Sequence, residues 1–523
     1  MQMKQMGRDF YEDVRGSLKR FGAFSKERRG LWLILGLVLL YLYGTRLFYY
    51  DLSFDGEIAL NQQDGILGSW LGINRFGLVF TKRLFRLNRF VPYASNFLLV
   101  LTLGFSAFFL LFCTQEWSGG GRQYRLFSYV LPLSYVSAPI FAEQYFFSLQ
   151  AFEVALASFV CMLAVYALHR HILLGKSLLW LPVALFCMVW AFASYQVFAS
   201  YFIALVLICF VLSYQNEERE AKWFLSGVRF ALFFVLAFVL YLLTAKLVKL
   251  HFHMDSDYVD SMVYWKTQGW KTCVNNVLGD ANRIYRGVWS VFYQKAFTPA
   301  LLLAAVFALY RGWKRKGRKE YWVYVAAWLL LAFSPLFLSL VSGFYQPIRG
   351  QLVFPLVFAF ALAGMTVLQK RYLSRILCFF ALFATLQQGQ IMTQLFHTAY
   401  LTYEQDKALA GRVYSRIEQL GADAGLEQPT VVFVGQRGVT LPNDALPGDV
   451  IGHSFFEWDR EDYAGSTKRI AAFCETLGYR MQLPTQEQVN AARAQAETMP
   501  LWPATDSVQL LEDGSGIVIK LSE

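Results

Sequence analysis

The chain has 523 residues, 56% of them hydrophobic and 16% charged, with a formal net charge of +11; a soluble domain is charged at about one residue in four. Lipid is therefore the solvent for most of the chain, and a single water-soluble domain is excluded. The surplus of Lys and Arg would suit nucleic acid in a soluble protein. Here it gathers between apolar runs, as the positive-inside rule requires, so no nucleic-acid partner is expected. A transmembrane barrel is excluded too, because the apolar runs are long and do not alternate in polarity.

In chain order, residues 1–30 form a basic arm with Lys4, Arg8, Arg15, Lys19, Arg20, Lys26, Arg28 and Arg29, which places the N-terminus in the cytoplasm. The first apolar run follows this arm without a small-residue cleavage site, so it is expected to stay as an anchor. Runs of spanning length predict about eleven transmembrane helices, at 31–49, 92–113, 124–141, 150–168, 178–194, 196–213, 224–246, 295–311, 321–342, 351–368 and 375–395. The expected fold class is an all-α polytopic membrane bundle over 31–395, with outer loops at 50–91 and 247–294 and a small extracytoplasmic α/β domain over 396–523. Patterning in that domain predicts a helix over 404–420, a buried strand over 430–435, and helices over 467–477 and 485–496. A hairpin of 508–511 with 517–521 closes it around Asp513-Gly514-Ser515-Gly516.

Chemistry is expected where ionisable groups meet the outer boundary, because charge there costs desolvation unless water or a partner is present. The first outer loop offers Asp51, Asp55, Glu57 and Asp64. Asp55 and Glu57 share a face only in an extended segment, and either could act as general base if partial burial lifts its pKa toward neutrality. A solvated loop with merely polar acids is the alternative. Phe80, Leu84, Leu87 and Val91 follow a 4-3-4 spacing opposite Lys82, Arg86 and Arg89, with Arg83 at the edge. This predicts an interfacial amphipathic helix whose cations suit a phosphate, or which simply snorkel at a headgroup boundary. Glu143 with Glu153, and Arg349 just before a late apolar run, are further candidates by their depth. The fork of Arg349 suits a phosphate oxygen; a salt bridge to Glu143 or Glu153 is the structural alternative.

The second outer loop mixes His251, His253, Asp255, Asp257 and Asp260 with Trp265, Trp270 and Trp289. Its histidines and acids could hold a divalent ion, but the alternate spacing supports this weakly and no cofactor is expected. The indoles suit a sugar ring or an interface belt. Of the seven cysteines only Cys273 and Cys474 fall in polar segments, where they could pair.

Asp55-Gly56-Glu57 is followed by Trp70 and Asn74-Arg75-Phe76-Gly77, then by Pro139 with Glu143 and Phe146, and by Arg349 before a late span. With VVFVG at 431–435 and SFFEWD at 454–459, these residues resemble the Gtr-type bacterial glucosyl transferase family, GT-C class membrane glycosyltransferases. The resemblance implies transfer of a sugar, typically glucose, from a polyprenyl-phosphate donor to a surface glycan acceptor. It places the reaction at the outer face of the bacterial cytoplasmic membrane, with membrane lipids as neighbours and no nucleotide sugar at the site. A first-loop acid is the implied base and aligns best with Asp55. The family often has two adjacent acids there, whereas Gly56 separates Asp55 from Glu57, so both stay candidates. Arg75, Lys82, Arg83, Arg86, Arg89 and Arg349 are the expected contacts to the carrier phosphate, and Trp70 and Glu143 to sugar or acceptor. A lipid-linked glycan flippase or a non-catalytic cell-wall scaffold would also account for the helices. A flippase predicts inverted repeats and midplane charges, and the sequence shows neither.

Overall fold

A computed structural model describes residues 2–61, 63–119, 126–216, 222–254, 261–288, 292, 295–316, 320–367, 371–426, 428–458 and 464–523. Among these residues six helices are long and apolar enough to cross a membrane: Arg29–Phe48, Pro92–Trp117, Ser148–Ile172, Trp223–Phe252, Tyr321–Ser342 and Tyr372–Asp423. Shorter apolar helices at Phe127–Val136, Trp180–Ser194, Phe198–Tyr214 and Val353–Met365 fill the space between them. The centre of the bundle is the Ser148–Ile172 helix, where Ala151, Ala155, Ser158, Cys161 and Ala164 are all buried. Small side chains on a helix let neighbouring backbones approach closely, which is how apolar helices gain packing energy without a hydrophobic drive between them.

The basic arm is itself structured, as the helix Gln2–Glu27. Its apolar side, with Phe10, Phe21 and Phe24, lies on the bundle, Phe10 meeting Trp180 at 5.1 Å and Phe24 meeting Phe108 at 5.2 Å. Asp13 fixes its position by pairing with Arg170 and accepting from the Trp180 indole at 2.8 Å.

Three expectations are corrected. The amphipathic helix foreseen over 80–91 is the helix Phe76–Leu84; Arg86 turns left-handed at φ 55° and ends it, so Arg86 and Arg89 leave its face. The third span is broken at Pro139 into Phe127–Val136 and a short helix Ile140–Phe146. The last expected span and the separate helix expected over 404–420 form one helix, Arg371–Asp423, since nothing between them breaks helical geometry. Cys273 and Cys474, which could have paired, are each free and buried.

Beyond that helix a small sheet forms from β1 (Val431–Val434), β2 (Val508–Leu510) and β3 (Ile517–Lys520) in the order β1-β3-β2. β1 runs parallel to β3, with Val431 opposite Ile517, and β2 antiparallel, with Val508 opposite Ile519. The near-continuous apolar runs are explained by burial on both faces. Val431, Phe433, Ile517 and Ile519 join the large core with the helix Thr467–Thr476, while Val432 and Val518 pack on Val489 and Ala492 of the helix Gln486–Ala496.

One close approach locks the first loop to the bundle. A Cβ on Gly77 would stand 2.6 Å from the Ser194 nitrogen and 2.7 Å from the Ala193 carbonyl carbon, and backbone cannot yield as a flexible side chain can. Gly77→Ala is therefore predicted to cost about 1–3 kcal/mol by overpacking, read as a lower melting temperature of the purified protein. Gly65→Ala, with open space around its Cβ, should melt no lower than wild type.

Candidate active site

Arg46, buried at the end of the first span, organises one end of the bundle. Its guanidinium pairs with Asp51, donates to the Phe146 carbonyl at 3.1 Å and to the Ser148 hydroxyl, and its own carbonyl accepts from Asn96 at 2.9 Å. This consumes Asp51 and sets the direction in which the first loop leaves the membrane helix. Three residues on, Phe54 stacks on Trp458 at 4.5 Å and meets Phe455 at 4.8 Å, so the C-terminal segment sits directly on the loop.

Arg469, from the helix Thr467–Thr476, then reaches the loop acids. It forms an ion pair with Glu57, which is wholly buried, and lies 3.4 Å from Asp55, whose side chain keeps 52% of its exposure. Asp55 holds a left-handed backbone at φ 70°, a conformation that costs free energy outside glycine and that clusters at functional sites. Beside this arrangement opens a cavity of about 490 Å³ lined by Asn61, Lys468, Arg469, Glu475 and Arg480. Its lining mixes charged groups of both signs with the apolar side chains of Ile58, Met481 and Leu483.

On the other side of Phe54, the C-terminal segment lies over the short helix Ile140–Phe146. Gly448 is so close to Glu143 that a Cβ there would overlap the carboxylate oxygen. Glu143 is fully buried and both of its oxygens lack a hydrogen-bond partner of good geometry. The Asp449 charge, the Val450 and Ile451 amides and Arg349 surround it. Asp449 accepts from the Ile348 N–H, which ties this segment to the turn bearing Arg349. That turn is held from below by Asp280, which accepts from the Gln346 N–H at 3.0 Å and from the Ser339 hydroxyl at 2.5 Å. Arg349 is half-buried, with its guanidinium 5.3 Å from the Phe147 ring, and makes no ion pair among the described residues. Next to this cluster, His453 bonds Glu457 at 2.7 Å, a contact that raises the imidazole pKa.

The structure thus brings Asp55, Glu57, Glu143 and Arg349 to the same end of the bundle, under one C-terminal segment. Lys82 is elsewhere in role: it is buried in an ion pair with Glu153 at 2.8 Å and lies 5.7 Å from the Trp70 ring, which is itself buried. Arg75 lies 4.7 Å over Tyr195, and Arg83, Arg86 and Arg89 are exposed. Asp255, Asp257, Asp260 and Trp289 lie outside the described residues, among which no cluster of His, Cys, Asp and Glu is arranged to hold a metal. Sequence reasoning missed Arg46, Arg469, Asp449 and His453. SFFEWD was the one signal near them.

The family model of glucosyl transferase GtrII matches residues 44–363. The matched stretch contains Asp55, Glu57, Glu143 and Arg349 and stops short of Asp449, His453 and Arg469. No curated protein and no solved structure matches the chain.

Proposed function

The chain belongs to the glucosyl transferase GtrII family, and from that premise we propose that it transfers glucose from a polyprenyl-phosphate carrier to a glycan outside the cytoplasmic membrane, with Asp55 as general base. The observation that carries the choice of base is the unequal hold of Arg469 on the two loop acids. Glu57 is buried in its ion pair, whereas Asp55 is half exposed beside the cavity that Arg469 lines. A carboxylate that must take a proton from an acceptor hydroxyl has to be reachable, and a base so placed typically contributes 10²- to 10⁴-fold. The 490 Å³ cavity suits the acceptor glycan.

Arg349 is the proposed contact to the carrier phosphate, since it is half-buried and makes no ion pair among the described residues. Negative charge builds on that phosphate as the glycosidic bond breaks, and a fixed cation there lowers the barrier. Attack opposite the phosphate inverts the anomeric carbon. Two membrane-delivered features support a lipid-linked donor over a nucleotide sugar: the apolar helices that surround the site, and the position of Arg349 just before the helix Val353–Met365.

In the test, purified protein receives polyprenyl-phosphate glucose or UDP-glucose, and product is followed by mass spectrometry. The lipid-linked donor should be used and UDP-glucose should not. Asp55→Asn should lose about 10²-fold or more in transfer while melting like wild type, and Glu57→Gln should lower the melting temperature more than it lowers turnover. Arg349→Lys should be strongly impaired, because an ammonium cannot reproduce a forked contact. Turnover of UDP-glucose alone, or a fully active Asp55→Asn protein, would sink the reading.

A further inference from the structure

The N-terminal helix Gln2–Glu27 sorts its side chains into three sectors when they are set at 3.6 residues per turn. Phe10, Val14, Phe21 and Phe24 share the sector that faces the bundle, where Phe21 meets Phe105 at 5.8 Å and Phe112 at 5.2 Å. Lys4, Arg8, Arg15, Lys19 and Lys26 share a second arc of about 100° with Tyr11, Leu18 and Gly22. That arc contains no acid. Asp9, Glu12, Asp13 and Glu27 fall together in the third sector. Every residue named in the second arc is exposed, Tyr11 by 65% and Leu18 by 66%.

The helix treats its charges differently by sector. Arg20, the one cation outside the second arc, pairs with Glu116 at 3.1 Å, whereas none of the five inside it makes an ion pair among the described residues. Asp13 pairs with Arg170, Glu27 with Arg28 at 3.3 Å, and Asp9 accepts from Gln5 at 2.8 Å. An ordinary solvated surface intersperses both signs; this one separates them. The helix is also held at a membrane boundary. Phe21 and Phe24 pack on Phe108 and Phe112 of the spanning helix Pro92–Trp117, and the first span opens at Arg29, two residues after the helix ends. The cationic arc therefore lies at the other end of that span from Arg46. Tyr11 and Leu18 stand between the packed face and the cations, so polarity around the helix runs apolar, cationic, acidic. A helix lying in an interface has this order, with apolar groups in lipid, basic stems reaching to headgroups and acids turned to water.

We propose that this arc binds an anionic phospholipid surface, with Tyr11 and Leu18 entering the headgroup layer and Lys4, Arg8, Arg15, Lys19 and Lys26 meeting the headgroups. Two observations choose a bilayer over a soluble acidic partner. The arc runs about 33 Å along a helix that is fixed beside two spanning segments, and it places its exposed apolar side chains on the edge adjoining the packed face. An acidic protein would account for the cations and leave Tyr11 and Leu18 without a reason. The inference rests on the spanning helices and uses no step of the transferase reading.

The experiment places a nitroxide label at Gly22→Cys, inside the arc, or at Asp9→Cys, in the acidic sector. A Cβ at Gly22 meets nothing within 4 Å, and all seven native cysteines are buried. The full-length protein is reconstituted in vesicles of phosphatidylcholine alone or mixed equally with phosphatidylglycerol, and access of a neutral water-soluble nickel complex to the label is read by power saturation. The Gly22→Cys label should be about 5-fold or more less accessible with phosphatidylglycerol, the factor that a single basic residue contributes at an anionic surface. High salt should reverse this, and the Asp9→Cys label should stay accessible in both vesicles. Lys4→Gln, Arg8→Gln, Arg15→Gln and Lys19→Gln together should abolish the difference with melting near wild type, since all four side chains are exposed. Equal access at Gly22→Cys in the two vesicles overturns the proposal and leaves the arc to a soluble partner. A difference that survives high salt or the four substitutions overturns the role of the cations.

Discussion

The end of the bundle that carries the candidate site is organised by one buried cation. Arg46 faces an acid from the first loop and a carbonyl and a hydroxyl from residues 146–148, and removing it would leave Asp51 unpaired in a dry interior. Breaking a buried pair in this way typically costs about 3–5 kcal/mol. The first loop departs from Asp51, the short helix Ile140–Phe146 ends at the carbonyl that Arg46 holds, and the central helix begins at Ser148. Asp55 and Glu143 therefore owe their relative placement to a residue that touches neither.

A second cation, Arg469, does across the chain what Arg46 does within the bundle. Its partner Glu57 is 412 residues away in sequence. The C-terminal segment is accordingly no passive appendage: Arg469 holds a loop acid, Gly448 covers Glu143, and Asp449 holds the turn before Arg349. The family match ends at residue 363, so the contacts that shape the matched residues come partly from beyond it. Substitutions at Gly448 or Arg469 act on residues of the matched region, and the two parts are constrained to change together.

Much of the fold was legible because it is periodic. Apolar runs marked the helices and the buried strand β1, and the turn Asp513-Gly514-Ser515-Gly516 marked the hairpin of β2 and β3. What was illegible had no local signature. The stripe of Phe80, Leu84, Leu87 and Val91 obeyed helical spacing, yet a left-handed Arg86 ended the helix, and side-chain periodicity carries no information on backbone dihedrals. Lys82 read as one of several surface cations, but its partner Glu153 lies on a different helix and draws it inside. The first-loop acids were found because they sit beside an apolar run. Arg469, in an amphipathic helix with ordinary composition, was invisible for the opposite reason.

The unbroken helix Arg371–Asp423 has a mechanical consequence. Fifty-three residues at 1.5 Å each make a rod of about 80 Å, far longer than the roughly 30 Å of a bilayer's hydrocarbon core. Its lower half is greasy and its upper half carries Asp406, which grips the Ser454 hydroxyl and the Phe455 N–H of the capping segment. With no joint in between, the height of that cap above the lipid is set by how deep the rod is embedded. Bilayer thickness becomes a mechanical input: a thinner or thicker membrane would tilt or shift the rod, and Gly448 would press harder or less hard on Glu143.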